Sequence, residues 1–141
     1  MRKLFLVLLL LSSRVLAGDV YHYEPEEVVL SGKIERQTFP GPPGYESIGK
    51  GDEIERGWYL RLHQAIRVEV GKNNSDGNAQ PEKNVRILHL TWNYEAKKID
   101  ASIQKSVGKQ VTLKGHLFHA FSGHHHARVL MWVDEARENR E

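Results

Sequence analysis

Histidine is the residue type in this chain with the clearest capacity for chemistry. Five of its eight histidines fall in one short segment, KGHLFHAFSGHHHARVL, as His116, His119, His124, His125 and His126. Imidazole nitrogens bind transition metals, exchange protons near neutral pH, and donate or accept hydrogen bonds. We therefore expect these five histidines to form the ligand-binding site.

One alternative is that the cluster binds Zn²⁺ or Cu²⁺. A zinc site built on nitrogen needs three or four ligands about 2.0 to 2.1 Å from the ion. Side chains alternate in direction along an extended segment, so His124 and His126 should point to one side and His125 to the other. His119 has the parity of the inward-facing residues of its strand. A metal site would therefore use His119, His124 and His126.

Catalysis has no comparable signature in the sequence. There is no Gly-x-Ser-x-Gly turn, and the absence of cysteine removes thiol nucleophiles and thiolate metal sites. Asp52, Glu53 and Glu55 form an acidic run of the kind that is usually a solvated face. We expect a binding protein that is not an enzyme, with no cofactor unless the metal alternative holds.

The first 17 residues have the three parts of a secretory signal. Arg2 and Lys3 precede an apolar run, and Ala17 ends a small-residue cleavage site. The run is shorter than the roughly 20 apolar residues that span a bilayer, and no cysteine is present to carry a lipid. We expect a signal peptide at residues 1–17, cleavage near Ala17, and one domain over residues 18–141. That domain should be periplasmic or secreted, without a membrane anchor.

Charge argues against a nucleic-acid partner. The whole chain has 20 basic and 18 acidic residues, but Arg2, Lys3 and Arg14 all belong to the predicted signal peptide. The formal charge therefore falls from +2 to −1 once residues 1–17 are removed. A nucleic-acid-binding domain usually has a basic stripe and a pI above about 9. An envelope ligand or protein is the expected partner.

Alternation of apolar and polar residues predicts a mainly β fold. The pattern V-x-L-x-G-x-(I/L) occurs at residues 28–34 and again at 111–117, with Gly32 and Gly115 in the middle of each predicted strand. Glycine at such a position usually marks a bulge or bend where a sheet curls. Further strands are predicted at residues 57–62, 65–70, 84–92 and 127–133.

One short helix is predicted within residues 93–109, where Ala96, Ile99, Ile103 and Val107 have helical spacing and Gly108 can cap the end. Short strands, two curling glycines and one helix before the last hairpin favour a small, OB-like, partly closed barrel of five to six strands. A two-layer sandwich is the alternative. The loop at residues 40–55, rich in proline and glycine, is expected to be stiff and ordered.

The C-terminal segment resembles a family of small exported bacterial proteins that carry a domain of unknown function. The family's pattern, G-x-L-F-x-A-x-x-G-H-H-H-x-x-V-L, is matched from Gly115 to Leu130. Two positions depart from the family: Ala127 replaces a usual threonine, and Arg67 replaces a usual cysteine. The first puts a hydroxyl-assisted ligand role in doubt, and the second removes any family disulfide or thiol.

The resemblance implies a bacterial envelope protein and favours the GHHH segment as the functional position, but it implies no activity. We therefore expect a non-catalytic binding protein of the periplasm. It would contact an envelope ligand or protein through the histidine-rich hairpin loop, residues 121–127, with His116 and His119 nearby. A Zn²⁺ or Cu²⁺ binding protein is the alternative.

Overall fold

The computed structural model describes residues 18–140, so the predicted signal peptide lies outside the described residues. A short 3-10 helix at Ile48–Lys50 interrupts the first long loop. The strands and the helix, in chain order, are β1 (Val20–His22), β2 (Glu27–Pro40), β3 (Ile54–Glu69), β4 (Glu82–Thr91), α1 (Lys97–Lys105), β5 (Gln110–His119) and β6 (Val129–Glu138).

Five of these strands close into a ring in the order β2, β3, β4, β6, β5 and back to β2. Every junction is antiparallel except the one between β4 and β6, which is parallel. That junction is short, because only residues 89–91 pair with residues 130–132. The ring is therefore uneven, and the predicted OB-like, partly closed barrel with one helix before the last hairpin is confirmed.

Both mid-strand glycines lie where a neighbouring backbone approaches closely, and Gly115 also adjoins an irregularity in strand pairing, as predicted. A Cβ atom on Gly115 would overlap the carbonyl oxygen of Trp132, next to a register shift between β5 and β6. A Cβ atom on Gly32 would overlap the carbonyl oxygen of Arg61. Gly32 also pairs on both sides, with β3 and with β5. Close backbone approach at these two positions lets the strands curl into a ring.

The inward faces of the strands supply the core. Leu60, Leu88 and Leu113 are fully buried, and Ile103 of α1 joins the same cluster. The helix is shorter than predicted. It ends at Lys105 with Ser106 as its C-cap, whereas Gly108 has a left-handed φ of 83° and donates its N–H to Ile34. Within residues 18–140, no helix combines the length and apolarity needed to cross a membrane.

The prediction of separate strands at residues 57–62 and 65–70 was wrong. These residues belong to the single strand β3, which pairs with β4 on both sides of an irregular stretch between Arg61 and Ile66. His63 and Gln64 are both exposed there, so the apolar alternation breaks although the strand continues. β1 was not predicted, because three residues are too few to show a pattern. It pairs in parallel with the end of β3.

Candidate functional site

Two loops meet on the outside of the barrel. The first loop, residues 41–53, joins β2 to β3, and the histidine loop, residues 120–128, joins β5 to β6. The Tyr45 hydroxyl lies 3.3 Å from His124 Nε2, and their rings are 5.5 Å apart, edge to face. A Cβ atom on Gly123 would lie 3.0 Å from the Tyr45 ring. Glycine at this position therefore allows the two loops to touch.

Asp52 organises the first loop. Its carboxylate accepts backbone N–H bonds from Gly44, Glu46 and Ser47, each 2.8 Å long. These bonds stabilise the charged form and lower the pKa of Asp52. The same turn carries Tyr45, which has a left-handed φ of 56°. These bonds link the residues around Tyr45 to Asp52, and the turn presents Tyr45 to the histidine loop.

Glu55, the second residue of β3, receives two imidazoles of the histidine loop. Its Oε2 lies 2.7 Å from His126 Nε2, and its Oε1 contacts His124 Nδ1. Burial alone would raise the pKa of Glu55, but the hydrogen bonds and charges of His126 and His124 outweigh it and the pKa is lowered. The His126 side chain is 12% exposed and that of His124 is 61% exposed. One carboxylate thus holds a nearly buried and an exposed histidine.

Beneath the histidine loop, four aromatic rings pack against one another outside the barrel core. We call Phe39, Tyr59, His89 and His126 the ring cluster. Phe39 stacks on His126 at 4.6 Å, and Tyr59 stacks on His89 at 4.7 Å. Phe39 also meets Tyr59 at 5.4 Å, and His89 meets His126 at 6.3 Å. Tyr59 and His89 are register partners on β3 and β4, so the cluster is built on these two strands.

His89 is held in its neutral form. Its Nδ1 accepts the backbone N–H of His126 at 3.3 Å, which places the ring proton of the neutral form on Nε2. Burial, followed by the nearby charges of His125 and His126, lowers the pKa of His89 to about 4. The Tyr59 hydroxyl is buried and has no hydrogen-bond partner among residues 18–140. Burial also raises the pKa of Tyr59.

His125 does not share the Glu55 carboxylate with His124 and His126. Its ring packs beside Phe118 and Phe121. Its ring centroid lies 4.5 Å from that of Phe121, in an edge-to-face arrangement. The backbone N–H of Phe121 donates to His125 Nδ1 at 3.2 Å, so the neutral ring carries its proton on Nε2. Burial and the charges of His124 and His126 lower the pKa of His125. His125 is therefore an oriented, neutral donor near pH 7.

Beside His125 lies a depression of about 380 Å³, which we call the aromatic groove. Three of the side chains around it are unusually exposed for their size: Phe121 at 73%, Tyr94 at 61% and Trp132 at 41%. They belong to three different parts of the fold, since Tyr94 follows β4, Phe121 lies in the histidine loop and Trp132 lies in β6. The groove therefore gathers exposed aromatic side chains from separate elements.

The structure brings only some of the predicted site residues together. His124 and His126 share one carboxylate, whereas His125 packs beside Phe118 and Phe121. His119, however, contacts Glu82 at 3.0 Å, and His116 contacts Asp134 at 2.9 Å. Across residues 18–140, no group of three or more His, Asp or Glu side chains is arranged to hold a metal ion. His119 therefore does not join His124 and His126.

Sequence reasoning missed several residues of the site. The acidic run was expected to be a solvated face, which was wrong for Asp52 and Glu55, because both accept specific hydrogen bonds. Of the three, only Glu53 is exposed, whereas Asp52 and Glu55 are half-buried. Phe39 and His89 were not singled out, since each lies in a strand and nothing in the sequence marks its contact with the loop.

These features define an OB-like barrel with a candidate binding site where two loops meet over β3 and β4. Residues 93–137 match the model of a family described as Domain of unknown function (DUF4431). No curated protein matches the chain. The matched stretch contains α1, β5, the histidine loop and most of β6, whereas Glu55 and three members of the ring cluster precede it.

Proposed function

We propose that this chain is an exported, non-catalytic binding module of the bacterial envelope. It contacts its ligand or protein partner through the histidine loop and the aromatic groove beside it. The observation that supports this proposal most directly is the position of the two loops. OB barrels bind their ligands on the face of the second and third ring strands and on the loops that flank it. Here those strands are β3 and β4, and the loops are the first loop and the histidine loop.

Exposed aromatic side chains also support this position for the binding site. Phe121, Tyr94 and Trp132 leave large apolar surfaces in water around one groove. Clustered exposed apolar surface is a common mark of an interaction site, whereas single exposed residues are ordinary. The groove also has the volume of a small ligand pocket, roughly 300 to 1,000 Å³.

The hydrogen bonds of the site favour binding over catalysis. A general acid or base works best with a pKa near the operating pH. The pKa of Glu55 is lowered by its two histidines, and that of His89 falls to about 4, so both move away from neutrality. The same bonds hold the groups in fixed positions, as a rigid binding surface requires.

The binding proposal can be tested with the protein beginning at residue 18. We would immobilise it and expose it to protein, polysaccharide and lipid fractions of a bacterial envelope. A double variant, Phe121→Ala with Trp132→Ala, should lose the retained partner. Val29→Ala is the matched control, because Val29 is also an exposed apolar side chain but lies on β2, outside the groove. Equal retention by all three proteins, or none in any fraction, would refute the proposal.

Export is tested separately. Expressed in a bacterium, the full chain should be recovered outside the cytoplasm with an N-terminus near Gly18, whereas a chain without residues 1–17 should stay inside. N-terminal sequencing and fractionation measure both. Recovery of the uncleaved chain in the cytoplasm would contradict export without touching the binding proposal.

Metal binding is the second candidate function, with a ligand set that differs from the sequence prediction. Glu55, His124 and His126 are not arranged to hold an ion as they stand, but they offer one oxygen and two nitrogen donors of the kinds that Zn²⁺ and Cu²⁺ bind. Metal bonds of about 2.0 to 2.2 Å in a tetrahedron place neighbouring donors about 3.3 Å apart. His126 and Glu55 would have to separate from 2.7 Å, and the exposed His124 is free to adjust.

Calorimetric titration of the untagged protein with Zn²⁺ and Cu²⁺ tests this candidate. One-to-one submicromolar binding should be lost in Glu55→Ala and in His124→Ala, with the accompanying gain in thermal stability. His119→Ala is the control and should bind as the parent does, because His119 lies with Glu82. Heats unchanged by Glu55→Ala would eliminate the site.

A further inference from the structure

The aromatic groove has a chemical character that narrows its ligand. Its lining includes Tyr94, Phe118, Phe121, His125 and Trp132, and none of its lining residues is Asp, Glu, Lys or Arg. The two histidines whose pKa is lowered, His89 and His125, both lie in this lining and are neutral near pH 7. A groove without Lys or Arg gives no favourable site for a phosphate backbone, which binds those side chains. The ligand should therefore be neutral where it enters the groove.

His125 adds a directional requirement. Because the Phe121 N–H occupies Nδ1, the proton sits on Nε2. Nε2 has no hydrogen-bond partner within residues 18–140, so it can donate to a ligand in the groove that His125 lines. A purely apolar ligand, such as an acyl chain, would cover this N–H without replacing its bond to water. Leaving a donor unsatisfied in this way is unfavourable and would weaken binding.

A sugar ring satisfies both requirements at once. Its C–H faces are apolar and pack against aromatic rings, while its hydroxyl and acetamido oxygens accept hydrogen bonds at its edge. Exposed Trp132, Tyr94 and Phe121 provide the faces, and His125 Nε2 provides the donor. We propose that the aromatic groove binds a neutral oligosaccharide, with the three exposed aromatic side chains stacking on sugar rings and His125 fixing one sugar oxygen.

This inference rests on the proposed binding function and names its ligand class. The probes are chitotetraose, whose acetamido groups offer carbonyl acceptors, and cellotetraose, which offers hydroxyls only. Both would be titrated into the protein beginning at residue 18, with binding followed by nitrogen-edited NMR and calorimetry. At least one should bind one-to-one, shifting the amide signals of the histidine loop and the segment around Tyr94.

Two variants separate stacking from hydrogen bonding. Trp132→Ala should weaken binding about tenfold, the size expected for losing one aromatic contact of about 1.4 kcal/mol. His125→Phe keeps a ring beside Phe121 but removes the donor, and it should weaken binding at least about fivefold, in line with the loss of one net hydrogen bond. His63→Ala, an exposed histidine outside the groove, should leave the affinity unchanged.

The possible outcomes test the ligand class separately from the proposed binding function. If neither saccharide binds at millimolar concentration while the Phe121→Ala/Trp132→Ala variant still loses a retained protein or lipid, the oligosaccharide inference is overturned and the binding function stands. If saccharide binds but Trp132→Ala and His125→Phe leave its affinity intact, the assignment to this groove is overturned. If the double variant retains everything that the parent protein retains from each envelope fraction, both the oligosaccharide inference and the binding proposal are overturned.

Discussion

Phe39 and His126 stack with their ring planes 2° apart and their centroids separated by 4.6 Å. Phe39 lies near the end of β2, and His126 lies in the histidine loop, so the contact fastens the loop to the barrel wall. The same imidazole donates to Glu55 from its edge. Packing on one face and a hydrogen bond at the edge together fix a histidine that the sequence placed in a loop.

Removing the carboxylate of Glu55 should loosen the histidine loop. Glu55→Ala leaves the nearly buried His126 without its acceptor, which we expect to cost about 1 to 3 kcal/mol in the free energy of unfolding. Urea unfolding measures this loss, and hydrogen exchange should quicken in the histidine loop. Glu53→Ala is the control, because Glu53 is exposed and such surface changes stay within about 0.5 kcal/mol. Equal stability of the two variants would mean that Glu55 does not hold the loop.

Two buried tyrosines should respond in opposite ways to loss of the hydroxyl. Tyr23 donates to the Gln80 carbonyl at 2.8 Å, so Tyr23→Phe should cost about 1 kcal/mol. The Tyr59 hydroxyl has no partner within residues 18–140, so Tyr59→Phe should be neutral or stabilising. Parallel denaturant titrations compare the two. A loss in Tyr59→Phe as large as that in Tyr23→Phe would show that the Tyr59 hydroxyl is bonded in solution.

Stability should fall as the solution becomes mildly acidic. The pKa of His89 is about 4 in the folded protein and about 6.5 in an unfolded chain. Well above pH 6.5 the His89 imidazole is neutral in the folded and the unfolded protein, and its contribution to the free energy of unfolding is fully present. As the pH falls towards 4 the unfolded state takes up the proton first, and at most about 3 kcal/mol is lost.

The control for this pH dependence is His89→Asn, whose amide oxygen can still accept the His126 N–H but does not titrate. Unfolding free energies measured between pH 6.5 and 4.5 should fall less steeply in this variant. A smaller slope remains, because the pKa of His125 is also lowered. The window stops at pH 4.5, since protonation of Glu55 adds a further loss at lower pH. Identical slopes in parent and variant would contradict the assignment to His89.

Gly115→Ala should be among the most damaging single changes in the barrel. The new Cβ would overlap the Trp132 carbonyl oxygen, which is backbone and cannot swing aside as a side chain could. We expect a loss of about 3 kcal/mol or more, at the upper end for overpacking. Gly77→Ala is the matched control, because nothing lies within 4 Å of its added Cβ. Thermal unfolding compares the stability of the two variants. If Gly115→Ala is as stable as Gly77→Ala, the strands need not approach so closely at Gly115.

The barrel could be predicted because its signals are local. The two V-x-L-x-G-x-(I/L) strands, with Gly32 and Gly115 at the bends, appear directly in the alternation of residues. The break at His63 and Gln64 misled the strand assignment, because an irregular stretch and a turn both interrupt alternation. Whether β3 continued there depended on pairing with β4, which no local pattern encodes.

The candidate site was harder to predict for a related reason. The sequence prediction separated His125 from His124 and His126 by assuming an extended segment, whereas Gly123 and His124 lie in a turn. The partner of His124 and His126 was not foreseeable, because Glu55 is remote in sequence and looked like one of several solvated acids. The parity of His119 placed it on the inward side of its strand. It could not show that His119 would contact Glu82 instead of joining His124 and His126.

The short β4–β6 junction links folding of the barrel to assembly of the candidate site. It pairs His89 with Leu130, four residues beyond His126, and it also completes the ring. Closing the barrel at this junction therefore also brings His89 of β4 close to the histidine loop that precedes β6, although the two strands are distant in the chain. Contacts between such distant segments form slowly. If the proposed site binds a ligand, that binding would therefore depend on closure of the ring.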